Sequence, residues 1–216
     1  MHHFNHMTQQ NQEPRQFWEE RYAQSLARSR GKAGQLLQQE IAQLEPGHVL
    51  ELGCSTGDDS LWLAEQGWQV TAVDLSEQAI QTARRLAQEA QLETQIQFLS
   101  CDLSVDFPVG EFELVTALYF QSPYDSFPRI PILQQAAAQI VPGGHLFIVT
   151  HATGPSWANF PASMPAFPPA EGDWQALALS EQHWQLEKLK VESRMARGPE
   201  GEVCEFKDNV ILARRI

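Results

Sequence analysis

The chain has 216 residues, enough for one α/β domain with a sizeable core and cramped for two. Hydrophobic residues make up 43% and charged residues 19%, which excludes a disordered chain, and the longest apolar runs, such as Leu146 to Val149, are far too short to span a bilayer. Lys and Arg number 15 against 27 Asp and Glu, a net charge of −12, so a phosphate-coated partner is repelled on average and nucleic acid is not an expected substrate.

Met1 to Glu13 is polar and rich in His, Asn and Gln, with no apolar core behind a basic segment. It reads as a flexible leader (1–13) before a single domain (14–216), neither signal peptide nor anchor, and a cytoplasmic location is expected. Cys54, Cys101 and Cys204 are far apart and form no C-x-x-C pair, so neither a metal site nor a disulfide framework is implied. From Pro14 to Leu44 the apolar residues recur at helical spacing, with Phe17, Trp18 and Tyr22 in one part and Leu37, Ile41 and Leu44 in the other. Gly31 and Gly34 divide this stretch into two helices, and Arg28 to Lys32, the one basic cluster, reads as a solvated helix end.

Pro46-Gly47 breaks the pattern, and His48 to Leu52 reads as a buried strand. After the turn Gly53 to Gly57, a helix is expected over Asp58 to Gln66 with Gly67 as its stop. Gln69 to Val73 is the next strand, and Ser76 caps a helix running to about Ala90. Strands follow at Ile96 to Leu99 and Phe112 to Leu118, then a helix over Ile132 to Ile140 that stops at Pro142-Gly143-Gly144, and a strand from His145 to Thr150. Thr150 to Asp173 is crowded with Pro, Gly and aromatics and is too long for a simple connector, which makes it a candidate cover for a substrate. Gln185 to Met195 and Cys204 to Ala213 read as a closing antiparallel hairpin around Gly198 to Gly201. Alternation of strands with helices predicts a Rossmann-like α/β domain whose mostly parallel sheet is covered by helices on both faces.

The chemistry concentrates at the carboxyl ends of successive strands, where an open parallel sheet binds its ligand. Glu51-Leu52-Gly53-Cys54-Ser55-Thr56-Gly57 joins a buried strand to a helix through a glycine-bearing turn that lets backbone approach a ligand. A dinucleotide fingerprint would require glycine at positions 55 and 58, which hold Ser55 and Asp58. A helix start carrying Asp58 and Asp59 repels a pyrophosphate and suits a cationic ligand. Asp74 ends the next strand about 20 residues after Gly53, where a carboxylate accepts from ribose hydroxyls. Asp102, beyond the third strand, is placed to accept from an adenine amino group.

Taken together these segments resemble the class I S-adenosylmethionine-dependent methyltransferases. Glu51 to Gly57 is similar to the family's first motif, with Ser55 where the middle glycine is common; Asp74 with Leu75 matches the ribose-binding segment and Asp102 with Leu103 the adenine-binding pair. Phe112-Glu113-Leu114-Val115 resembles the fourth-strand motif, with Glu113 for the more usual Asp, and Val141 to Leu146 resembles the turn into the fifth strand. Phe17 to Tyr22 looks like the N-terminal helix of the tellurite-resistance and thiopurine-like methyltransferases, in which a W-x-x-R-Y segment folds over the cofactor; Tyr119, Thr150-His151 and Val210 to Arg214 resemble the tellurite-resistance group too.

The resemblance implies a seven-stranded sheet whose last strand is antiparallel. It implies a single cofactor, S-adenosyl-L-methionine, contacted by Glu51, Gly53, Cys54, Ser55, Gly57, Asp74, Leu75, Asp102 and Leu103, with Trp18, Arg21 and Tyr22 from a helical lid spanning 14–44. The partner expected is a small-molecule methyl acceptor, with no membrane and no metal, and neither the acceptor nor the oligomeric state is written in the sequence. Tyr119 and His151 fall on the cleft side as candidate catalytic residues, while Trp157, Phe160 and Phe167 are candidates to cover an apolar acceptor. Two other classes compete: a non-catalytic S-adenosylmethionine-binding regulator, and a nicotinamide-dependent oxidoreductase, which Ser55 and Asp58 disfavour.

Overall fold

The structure is a computed structural model that describes residues 13–23, 31–124, 126–153, 167, 169–197, 201 and 203–216. Its elements in chain order are α1 (Pro14–Ala23), α2 (Gln35–Ile41), β1 (His48–Leu52), α3 (Asp58–Glu65), β2 (Gln69–Asp74), α4 (Glu77–Glu89), β3 (Ile96–Ser100), β4 (Phe112–Leu118), α5 (Arg129–Ala138), β5 (Ile140–His151), α6 (Ala170–Leu177), β6 (Trp184–Arg197) and β7 (Val203–Arg215).

The strands form one seven-stranded sheet in the order β3-β2-β1-β4-β5-β7-β6. Pairings among β3, β2, β1, β4 and β5 are all parallel, and β7 runs antiparallel to both neighbours. Chain order reverses between β1 and β4, so the crevice of this sheet opens at the carboxyl ends of those two strands. Adjacent residues along the strands feed opposite faces. Val49, Phe147 and Val210 pack with Leu37, Ile41, Leu63, Ile80 and Ala83 from α2, α3 and α4. Leu50, Ile148 and Ile211 pack with Ile132, Leu133 and Leu177 from α5 and α6. Burial on both faces is why these strands read as continuous apolar runs rather than alternating ones.

Three expectations change. The helical stretch 14–44 is not one lid: Leu36, Leu37 and Ile41 of α2 are buried in the core, whereas α1 buries none of its residues fully. The fifth strand starts at Ile140, which pairs with Phe112, and the register then shifts so that Leu114 meets His145. Pro142 and the two glycines lie in this irregularity instead of ending the helix, because proline has no N–H to donate and is tolerated at a bulge. The end of the segment 150–173 is helical, since α6 begins at Ala170, while residues 154–166 and 168, on which its reading as a cover falls, lie outside the described residues. The Asp173 carboxylate receives both Nη atoms of Arg129, at 2.9 and 3.0 Å, and ties α6 to α5. Trp157, Phe160, Cys204's side chain, most of the leader 1–13, most of the basic cluster from Arg28 and the hairpin turn before Gly201 lie outside the described residues. Among the described residues no helix is long and apolar enough to cross a membrane, and no cluster of His, Cys, Asp and Glu has the arrangement of a metal site.

Candidate functional site

The turn after β1 is held by the neighbouring strand: the amides of Gly53 and Cys54 both donate to the Val73 carbonyl, at 2.8 and 2.9 Å. Gly53 (φ 72°), Ser55 (φ 53°) and Gly57 (φ 85°) all take left-handed backbone, so the loop folds back tightly before α3. Ser55 bears the strain that a glycine would avoid at that position. At Gly57 any Cβ would lie 2.9 Å from Ala83 of α4, so glycine is required for helix packing as well as for the turn. At Gly53 the space is already taken: a Cβ there would meet the Phe120 ring at 2.9 Å.

Asp74, at the end of β2, is 9% exposed. Its Oδ2 accepts the Ser55 amide and its Oδ1 the Ser76 amide, each at 2.9 Å. Burial pushes its carboxyl up from the ordinary Asp range, against the two amides that favour the ionised form. Glu51, on β1, is 4% exposed and accepts the Ser60 hydroxyl of α3. Burial, then the charges of Asp59, Asp74 and Asp58, drive its carboxyl well above the usual range. Burial likewise raises Asp59, although the Gly34 amide donates to it at 2.7 Å. The crevice thus gathers four carboxyl groups, and the main charges acting on Glu51 are the neighbouring acids Asp59, Asp74 and Asp58. A pyrophosphate would find this arrangement repulsive, and a cationic ligand would relieve it. Cys54 is buried and its thiol is raised by burial and by Glu51, so it is a packing residue, not a nucleophile.

The third strand end is less committed. Asp102 spends one oxygen on its own turn, accepting the Ser104 amide at 3.0 Å and hydroxyl at 2.6 Å, and Leu103 is buried in the core. Leu75 offers its carbonyl, which here receives Nη1 of Arg15 at 2.6 Å.

That arginine belongs to α1, which lies across the ends of β2 and β3. Glu19 accepts the Ser76 hydroxyl (2.8 Å) and the amides of Glu77 (2.8 Å) and Gln78 (3.2 Å), capping the positive N-terminus of α4. The Tyr22 hydroxyl donates to Asp74 and receives the hydroxyl of Ser55, and burial together with the Asp74 charge pushes the phenol upward. Trp18 packs on Tyr22 with ring centroids 6.3 Å apart, and the Arg21 guanidinium lies 5.8 Å over the Trp18 ring. Phe17 meets Tyr124 edge-on at 5.8 Å. Sequence reasoning singled out Trp18, Arg21 and Tyr22; it gave no role to Arg15 and Glu19, which make α1's hydrogen bonds to the β2–α4 junction.

On the other side of the switch point, Tyr119 follows β4 with φ 53° and His151 ends β5. Their rings stack at 4.5 Å, with Phe167 at 6.1 Å and Phe206 at 6.5 Å from the His151 ring. The Tyr119 hydroxyl donates to Asp208 at 2.8 Å, and burial with that charge raises its phenol, so Tyr119 does not act as a base near neutral pH. Asp208 and Arg194, from the closing hairpin, were missed. The available signal was a carboxylate, Asp208, at the head of the apolar run Val210 to Ala213.

Residues 49–144 match the family described as a methyltransferase domain. The chain is 33% identical over 106 residues to a ubiquinone biosynthesis O-methyltransferase of Idiomarina loihiensis, covering 47% of this chain and 41% of that protein. It is 32% identical over 114 residues to the Coxiella burnetii protein of the same name, covering 53% and 47%. The chain therefore spans less than half the length of these curated relatives. Among solved structures, one described as converting a disulfide bond into a thioacetal group during echinomycin biosynthesis aligns with TM-score 0.69 at 22% identity, over 93% of this chain and 92% of that one. TehB from Haemophilus influenzae aligns with TM-score 0.67 at 19% identity, over 92% and 67%. These two likenesses establish the fold. The strand order, the acidic crevice and the matched segment agree: residues 49–144 carry the methyltransferase domain, and its resemblance is to the class I methyltransferases that use S-adenosyl-L-methionine.

Proposed function

We propose that the chain transfers a methyl group from S-adenosylmethionine to the hydroxyl oxygen of a small molecule. The observation that carries the cofactor half is Asp74: a buried carboxylate pinned by two backbone amides at the switch-point end of β2, in a crevice rich in acids. Tyr22 presents a hydroxyl to that carboxylate as a ribose would, and the two ribose hydroxyls compete for the same acceptor. Glu51, with Asp58 and Asp59 near it, fits the ammonium and sulfonium end, whose positive charge would draw the raised carboxyl back toward its ionised form. When bound, S-adenosylmethionine supplies a methyl carbon already activated by its sulfonium, so the protein's share is largely alignment.

Residues of α1 close over the nucleoside, with Arg15 and Glu19 as the anchors and Trp18 and Arg21 as the cover, and 14–216 works as one domain. Asp102 and the Leu103 backbone face the adenine end, and Leu75 contributes its carbonyl. On the acceptor side the ring of His151, partly exposed among Tyr119, Phe167 and Phe206, is a base able to take a hydroxyl proton. The oxygen acceptor draws support from the O-methyltransferase relatives and from this aromatic wall, which suits a ring-bearing or enolic hydroxyl. The test is to incubate the purified chain with S-adenosylmethionine and a panel of phenols, enols, thiols, amines and oxyanions, reading S-adenosylhomocysteine. Turnover confined to the hydroxyl acceptors is expected; turnover confined to amines or oxyanions, or none with any acceptor despite cofactor binding, would refute the proposal.

A further inference from the structure

We infer that Asp208 is the positioning residue for His151, fixing the imidazole with its proton on Nδ1 and its bare Nε2 free to receive the acceptor's proton; this rests on the reading of His151 as the base. Asp208 sits in β7 directly opposite His151 of β5 and is fully buried. Its Oδ1 lies 2.9 Å from His151 Nδ1, while Oδ2 takes the Tyr119 hydroxyl and the Nε of Arg194. Burial alone would push the Asp208 carboxyl up, yet these three donors hold it below the ordinary Asp range.

An ionised carboxylate only accepts, so the proton between Oδ1 and Nδ1 belongs to the ring, and a neutral ring then has its lone pair on Nε2. Among the described residues no group bonds Nε2, and about a third of the His151 side chain is exposed (32%). The partners of Asp208 are themselves fixed. Arg194 is wedged with its guanidinium 4.7 Å from the Phe206 ring and 5.8 Å from the Tyr119 ring, and Tyr119 stacks on His151. The arrangement therefore sets ring orientation and tautomer together, through residues contributed by β5, β6 and β7 and by the residue after β4.

The proton balance is simple. His151 Nε2 takes the hydroxyl proton as the acceptor's electron pair forms the oxygen–carbon bond and the carbon–sulfur bond breaks toward sulfur. The imidazolium then releases that proton to solvent, and Asp208 stays ionised throughout.

The experiment is a long-range ¹H–¹⁵N correlation spectrum of the full chain labelled with ¹⁵N-histidine, at a pH of about 8 and without acceptor. His151 is assigned by its disappearance in His151→Gln. Wild type is expected to show the Nδ1–H tautomer; the Nε2–H tautomer there overturns the proposal before any Asp208 variant is made. In Asp208→Asn the carbonyl is claimed by Arg194 and Tyr119, which leaves the amide NH₂ facing His151 and forces the proton onto Nε2. That variant should show the Nε2–H tautomer and lose about 100-fold or more in kcat, with S-adenosylhomocysteine affinity unchanged. An unchanged tautomer in a folded Asp208→Asn overturns the assignment. The tautomer needs no turnover, so it tests the positioning alone; the turnover of His151→Ala tests the reading beneath it.

Discussion

Replacing Glu51 by glutamine is the perturbation that separates a strained cation site from an ordinary buried acid. Glu51 is 4% exposed and surrounded by the charges of Asp59, Asp74 and Asp58, with the Ser60 hydroxyl as its bonded partner. Its folded-state pKa is raised, so the fold binds a proton that the unfolded chain has already lost at an unperturbed pKa of about 4.3. Stability therefore falls as pH rises through the window between the unfolded and the folded value, and Asp59 and Asp74, raised too, add to the same slope. The substituted glutamine keeps the Ser60 bond and carries no charge at any pH. Removing a poorly compensated buried group is worth about 1–3 kcal/mol, or roughly 2–12 °C in Tm for a chain of this size. The ligand-free Glu51→Gln variant should thus melt higher than wild type at a pH of about 8 and lose the advantage toward a pH of about 5, near the unfolded carboxyl's value. Its affinity for S-adenosylmethionine should fall in compensation, by roughly 10- to 150-fold if a charge-assisted bond of about 1.5–3 kcal/mol is lost. Thermal unfolding across pH and calorimetric titration give both quantities. A variant less stable than wild type at high pH with undiminished affinity would refute the reasoning, because Glu51 would then be a satisfied core residue.

Two further outcomes follow from the same geometry. Deleting the residues before Leu26 removes the Arg15, Glu19 and Tyr22 contacts but no fully buried side chain of α1, so cofactor affinity should weaken while far-ultraviolet circular dichroism stays that of the folded sheet; unchanged affinity would separate α1 from the cofactor. His151→Ala should lower kcat by about 100-fold or more with cofactor affinity intact, and a loss of only a few-fold would reduce it to pocket lining.

The sequence carried the sheet well where a strand's own residues announce it. His48 to Leu52, Gln69 to Val73 and Phe112 to Leu118 are largely apolar runs bounded by turns, and their observed ends differ by a residue at most. It misled where a local signal was overridden by pairing. Pro142-Gly143-Gly144 reads as a stop, yet the Phe112–Ile140 pair extends β5 past it through a shifted register. The αL backbone at Ser55 had no local signal, since serine is not a residue that demands it. The two halves of the site also differed in legibility. Glu51, Gly53 and Asp74 lie at the ends of successive strands, so linear spacing alone brings them together. Asp208 faces His151 only through the β5–β7 register, 57 positions further along the chain, and no linear pattern encodes that meeting. The role of α2 was hidden for the same reason: its burial depends on the sheet face beneath it, whereas α1, part of the same helical stretch in the sequence, buries no residue fully.

In the proposed function the carboxyl ends of β1 and β2 hold the nucleoside of S-adenosylmethionine through Asp74. Calorimetric titration of S-adenosylhomocysteine into wild type and Asp74→Ala tests it without knowledge of the acceptor. Charge-assisted bonds to the ribose hydroxyls are lost in the variant while water enters, a net change of about 2–3 kcal/mol, so Kd should weaken by roughly 30- to 150-fold. Near-wild-type affinity in a folded Asp74→Ala would contradict the account.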